Sequence, residues 1–269
     1  MTTVFPLPIQ TVLSTTKQHG VRALLMGGQA CIVHGASEFS RDVDLAILAS
    51  PENFERLGAA LRDLQATVIA VPPFAPEYLA RGHAVHFRCG AAGNMRLDVM
   101  SVMRGVPDFD TCWSRRMIAP LTGVGDVDVL GLEDLVNAKK TRRDKDWPMI
   151  RRLVDVHYST FADKPTDARR TFWLRELRTP DALIDCVRRD PLAAVAAAPG
   201  REVIAAAITA AENPRQTVSL HATLAAEEDR ERAADEAYWR PLLNDLEAMR
   251  RAAHRPPSTR PAEDDGPAM

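Results

Sequence analysis

The stretch LLMGGQACIVHGASEFSRDVDLAI, residues 24–47, decides the fold. Val21 to Met26 is a short apolar run with the length of a buried strand, and Gly27-Gly28 ends it because glycine permits a tight turn. A short helix over Ala30 to Val33 follows, broken by Gly35. Beyond it Val43, Leu45 and Ile47 alternate with Asp42, Asp44 and Ala46, a period of two that predicts a strand with one apolar face and one face carrying both carboxylates.

Further along, Ser50-Pro51-Glu52 has the form of a helix start, with Ser50 as N-cap and Pro51 at the first helical position, leading into the amphipathic run Phe54 to Leu64. A strand is expected at Thr67 to Val71. Two more, Ala84 to Arg88 and Met95 to Val102, are joined by the hairpin loop Gly90-Ala91-Ala92-Gly93-Asn94. Asp98 lies in the second, between Leu97 and Val99. After a last extended piece at Asp128 to Leu130, Gly131-Leu132-Glu133-Asp134 opens a helical run through Lys140. Helical spacing then holds almost throughout, ending in the long charged segment Thr217 to Ala253. The Pro-rich polar tail from His254 is expected to be disordered.

The fold class is therefore α+β: a mixed sheet flanked by helices over residues 1–130, a helical C-terminal domain over 131–253 and a tail over 254–269. The 269 residues suffice for an unaided core, and 46% apolar with 26% charged residues argues against a disordered or fibrous chain. A formal net charge of -2 excludes a protein that coats nucleic acid with a basic surface. Cys31, Cys89, Cys112 and Cys186 lie far apart without a C-x-x-C, which points to reduced thiols in a cytoplasmic protein and to neither zinc nor disulfides. No apolar run is long enough to span a bilayer, so no membrane partner is expected.

On a strand, Asp42 and Asp44 project from the same face about 6–7 Å apart, within reach of one divalent cation or a close pair. Like charges on a half-buried strand are costly unless a cation neutralises them, and Asp98 is the third candidate for the same cluster. Oxygen ligands without cysteine or clustered histidine favour Mg²⁺ or Mn²⁺. Gly27-Gly28 adds backbone N–H groups for the phosphates that such an ion carries. His34, His83, His86 and His157 fall in no ligand spacing. The cluster Arg142-Arg143-Asp144-Lys145-Asp146 reads as an acceptor patch or, slightly better, as a salt-bridge network at a helix end.

These motifs resemble the nucleotidyltransferase superfamily related to DNA polymerase β: Gly27-Gly28, then Asp42-Val43-Asp44, then Asp98 on a later strand. The variant MGGQACIVHGASEFSRDVDLAI is most similar to minimal bacterial nucleotidyltransferases, including those of AbiEii-type toxin systems. GLEDLVNAKKTRRDKDWPMIRRL resembles their helical segment, in which a lysine faces the site; Lys139 is the first match and Lys140 the second. The resemblance covers roughly residues 20 to 155. It implies transfer of a nucleoside monophosphate from an NTP such as ATP to a hydroxyl on RNA, tRNA or protein, with a cognate antitoxin as possible partner. Asp42, Asp44 and Asp98 would be the metal ligands and, with Lys139, the catalytic set; Gly27, Gly28, Gln29, Ser40 and Arg41 would touch the nucleotide. Relatives often carry an arginine four residues before the first aspartate, where this chain has Glu38. Either Arg41 substitutes for it, or nucleotide choice and activity are altered. The alternative is an inactive nucleotide-binding pseudoenzyme or interaction partner of such a system.

Overall fold

The structure is a computed structural model that describes residues 5–36 and 40–253. The expected tail from His254, as well as Glu38 and Phe39, lies outside the described residues. The first part of the chain runs α1 (Leu7–Gln18), β1 (Ala23–Met26), α2 (Gly27–Val33), β2 (Asp42–Ile47), α3 (Pro51–Asp63), β3 (Ala66–Val68), α4 (Pro76–Ala80), β4 (Val85–Cys89), β5 (Met95–Met100), α5 (Phe109–Ser114), β6 (Met117–Leu121) and β7 (Gly125–Val129). The second part is helical: α6 (Leu132–Ala138), α7 (Asp146–Phe161), α8 (Asp167–Glu176), α9 (Pro180–Arg189), α10 (Pro191–Ala197), α11 (Glu202–Glu212) and α12 (Thr217–Ala253). One sheet of seven strands in the order β3-β4-β5-β2-β1-β7-β6 carries both parallel and antiparallel pairs, so the architecture is α+β.

The period-two alternation of β2 becomes burial: Val43, Leu45 and Ile47 are at most 2% exposed, packed with Leu97 and Val99 of β5 and Val85 and Phe87 of β4. Helix α1 covers β2 and β5 and meets α3. Ser50 caps α3 by accepting the Asn53 N–H at 3.3 Å, satisfying one orphan donor of the first turn. The expected strand at Thr67 to Val71 is shorter, because the chain leaves the ladder at the bends that precede Pro72. Strand β6 and helices α1, α4 and α5 are additions to the sequence reading. The last strand ends at Val129 and α6 opens at Leu132, yet one buried apolar cluster continues through both parts, from Phe5 to Leu224. All four cysteines are buried, and none of them forms a disulfide. Among the described residues no helix is long and apolar enough to cross a membrane.

In the helical part His157 sits among Phe161, Phe172 and Trp173, and its Nδ1 accepts the Trp173 indole N–H at 2.8 Å. Burial, with help from Arg169 and His34, pulls its pKa down from 6.5 to about 4. A depressed folded-state value means that neutral His157 stabilises above pH 6.5 and that this contribution is lost as pH falls toward 4. Thermal melts between pH 7 and 4.5 are expected to show falling stability, and His157→Gln, whose amide oxygen also accepts from Trp173, should flatten that slope. An equally steep slope in the variant would contradict the assignment.

Candidate active site

The register of three neighbouring strands builds the site. Asp44 of β2 lies beside Asp98 of the parallel β5, which lies beside His86 of the antiparallel β4; one row over, Asp42 lies beside Arg96, which lies beside Arg88. Adjacent strands are about 4.8 Å apart, so the polar face of the sheet concentrates three carboxylates against two arginines and one histidine. Opposite faces of the same strands are the apolar core, which fixes the register: a slip by one residue would bury the aspartates.

Asp44 is pressed against the turn after β1. Gly27 has φ +65°, and a Cβ placed on it would lie 1.9 Å from Asp44 Oδ2. Only glycine leaves space there for the carboxylate. Desolvation, then Asp98 and Asp42, raise the Asp44 pKa from 3.8 to about 6, against the pull of Lys139 and Arg143. That cost is what a bound cation would relieve, and Asp42 and Asp44 both open onto the cavity described below.

Asp98 is arranged differently. Arg96 grips it bidentately, Nε to Oδ1 at 2.8 Å and Nη2 to Oδ2 at 2.9 Å, and His86 Nδ1 lies 2.9 Å from Oδ1. Burial opposes ionisation, but the hydrogen bonds from His86 and Arg96 outweigh it and hold the carboxyl below its usual range. Hence the three carboxylates share a face without closing into one ligand set: among the described residues no group of three or more His, Cys, Asp or Glu side chains is gathered to hold a metal. The donor set that fits Mg²⁺ or Mn²⁺ is Asp42 with Asp44, with the ion's other positions left to water and phosphate. The expected third ligand is instead drawn toward its own i−2 neighbour.

A cavity of about 690 Å³ opens over this face. Met26, Gly27, Gly28, Ser40, Arg41 and the three aspartates line one side, and the segment between α6 and α7, residues 139–146, lines another. Lys139, 7% exposed, places Nζ 3.3 Å from Asp146 Oδ1; Arg143 Nε and Thr141 Oγ1 donate to Asp146 Oδ2 at 2.8 and 2.6 Å. Lys140 turns to Glu176 at 2.8 Å, so it is Lys139 that acts on Asp44. The Arg142 to Asp146 cluster forms the salt-bridge network, through Arg143–Asp146 and Arg232–Asp144, and Arg142, Arg143, Lys145 and Asp146 also line the cavity.

No protein-family model and no curated protein matches the chain. Solved structures similar to it include two of the antibiotic-resistance factor ANT(2'')-Ia. Its solution structure is 13% identical and overlaps 83% of this chain and 92% of that one at a TM-score of 0.34. Its crystal structure with adenylyl-2''-tobramycin is 13% identical and overlaps 81% and 95% at 0.33. Overlap of that order leaves the site to be judged on its own geometry.

The other three expected nucleotide contacts divide. Ser40 and Arg41 line the cavity, the Ser40 hydroxyl donating to the Asp42 carbonyl at 3.2 Å. Gln29, 1% exposed, instead donates its amide to the carbonyls of Ser40 and Asp42 at 3.1 and 3.5 Å, tying the loop that leads into β2. Helix α2 is seven residues long, so its dipole adds little, and the positive charge at the cavity comes from cationic side chains. Arg96 and the α12 residues Asp235 and Trp239 were missed from sequence, and His86 was set aside there. Two of these were within reach: Arg96 is i−2 of Asp98 on one strand face, and a five-residue hairpin loop opposes His86 to Asp98.

For the nucleotide transfer proposed below, Lys139→Ala is expected to lower kcat/KM by roughly 10²-fold, the scale seen when one preorganised donor is removed from developing charge. Asp146 keeps Arg143 and Thr141, so the fold should persist. Lys140→Ala, which removes a pair with Glu176, should cost less. Steady-state kinetics on both variants checks the order, and a larger loss at Lys140 would contradict it.

Proposed function

We propose that this protein is a divalent-ion-dependent nucleotidyltransferase that moves a nucleoside monophosphate from an NTP to a hydroxyl acceptor. The observation that carries the reading is the in-register row of Asp44 and Asp98 on the polar sheet face, with Asp44 seated against Gly27 under a cavity rimmed by Lys139 and Arg143. Mg²⁺ or Mn²⁺ held by Asp42 and Asp44 would neutralise phosphate oxygens as charge builds on them. Lys139 and Arg143 add cationic charge along the triphosphate. Asp98, ionised and immobilised by Arg96 and His86, accepts a hydrogen bond from the acceptor hydroxyl and aims its oxygen at the α-phosphorus. The new O–P bond forms as the bond to pyrophosphate breaks, and the hydroxyl proton leaves toward Asp98 or water.

The finer reading, with RNA such as tRNA or a protein as acceptor and a toxin role opposed by an antitoxin, rests on the motif resemblance alone. A second reading, a nucleotide-holding pseudoenzyme, is favoured by one observation: the Arg96 grip that keeps Asp98 out of a three-carboxylate set. One experiment separates them. The protein is incubated with each α-³²P-labelled NTP, Mg²⁺ or Mn²⁺, total RNA and cell extract, and labelled species are resolved. A transferase labels an acceptor and releases pyrophosphate, whereas a pseudoenzyme binds nucleotide and yields no labelled product.

A further inference from the structure

Along its length the cavity changes character. Past Asp98 its wall is made by Met100, on the same face of β5, by Ala84 ahead of β4, by Met103, and by Trp239 and Leu243 of α12. Trp239 is half-buried, and its one polar atom is already spoken for: the indole N–H donates to Asp235 Oδ1 at 3.0 Å. Asp235 is itself 2% exposed and also accepts from Arg104 Nε at 3.2 Å and from the Arg142 backbone N–H at 2.8 Å. Tyr238 packs edge-on against the indole, with ring centroids 5.3 Å apart. Farther along α12, Asp245 pairs with Arg81 and, at 2.9 Å, with His83, anchoring the helix beside β4. A buried carboxylate with three donors from three segments thus fixes the plane of a ring that offers the cavity only apolar surface.

We propose that Trp239 is the platform on which a planar aromatic ring of the acceptor stacks, which makes it a specificity-determining residue for the transfer. The proposal rests on the transferase reading above. It assigns the ring to the acceptor because Met100 and Ala84 adjoin Asp98, whereas Gly27, Ser40 and Arg41 mark the triphosphate end. Charge narrows the class further. Arg142 and Lys145 line the cavity and make no ion pair among the described residues, so a polycationic acceptor meets repulsion and a neutral or anionic one does not. An aromatic face stacks any flat ring, which suits a nucleoside or a phenol equally.

The test uses the full chain loaded with Mn²⁺ and an α,β-methylene NTP that cannot be transferred, titrated calorimetrically with adenosine, with N-acetyltyrosinamide and with tobramycin. The two ring probes separate a nucleoside from a phenol as the source of the ring. At least one should bind. Trp239→Phe should keep that affinity within about threefold, and Trp239→Ala should weaken it about tenfold or more, as removal of a stacking partner does. Affinity for the methylene NTP should stay within about twofold in every variant. Should Trp239→Ala disturb α12, Trp239→Leu keeps an apolar wall without a planar face and gives the same contrast with phenylalanine. Binding of neither ring, unchanged ring affinity in Trp239→Leu, tightest binding by tobramycin, or a loss of NTP affinity in parallel with the ring would each overturn the proposal. If instead the wild type does not bind the methylene NTP, the transferase reading has failed and this inference goes with it.

Discussion

Asp42→Asn combined with Asp44→Asn is expected to abolish transfer while raising the melting temperature of the metal-free protein. Asp44 titrates near 6 because it is buried and faces Asp98 and Asp42. A folded-state value raised from 3.8 means that its contribution is fully present below that pH and is lost as pH rises through 6. At neutral pH ionised Asp44 therefore costs on the order of 2–3 kcal/mol, and the isosteric asparagine removes that cost. Binding of Mn²⁺ to the folded wild type should restore stability by mass action, with no such response in the variant. Calorimetric melts at pH 5 and 8, with and without Mn²⁺, check the stability statements, and a labelled-NTP assay checks the loss of transfer. A destabilised variant, together with a wild type indifferent to Mn²⁺, would show that the pair is structural.

Gly27→Ala is the other large effect. Its Cβ would stand 1.9 Å from Asp44 Oδ2 and 2.5 Å from Cγ, so the carboxylate or the turn must move, and the backbone at φ +65° is strained for any other residue. A misplaced carboxylate at this cavity-facing position should cost roughly 10²-fold in the proposed activity, the scale of an ångström-level displacement. The strained backbone should cost about 1–3 kcal/mol of stability. Gly20→Ala is the control. It shares the strain, with φ +64°, but meets nothing within 4 Å, so it should lose stability and keep activity. Full activity in Gly27→Ala would mean that the seat under Asp44 is unimportant.

The part of the fold that positions the carboxylates was legible because local pattern and tertiary burial agree there. The alternation over Asp42 to Ile47, the Ser50-Pro51 cap and the loop after Cys89 each give an element on its own evidence, and α12 keeps the bounds Thr217–Ala253 that its spacing suggested. Helix α1, with Pro6 at its N-cap and Pro8 in its first turn, and β6, which carries Pro120 on a sheet edge, were not read from the sequence. For the site, Asp98 was legible as a strand residue but its Arg96 clamp was not weighed. The α12 wall could not have been found locally, since Asp235 and Arg104 meet across 131 residues of chain. Gln29 illustrates the converse: adjacency to Gly27-Gly28 suggested a phosphate contact, whereas its amide NH2 donates to the carbonyls of Ser40 and Asp42.

The central claim is that Asp42 and Asp44 hold a divalent ion for an incoming nucleotide. Anomalous diffraction from crystals grown with Mn²⁺ and an α,β-methylene NTP tests it most directly. A peak about 2.0–2.3 Å from oxygens of both carboxylates, with phosphate oxygens completing the shell beside Gly27, is the predicted result. A density map with the nucleotide bound elsewhere, or with Mn²⁺ absent from that pair while the nucleotide is present, would contradict it.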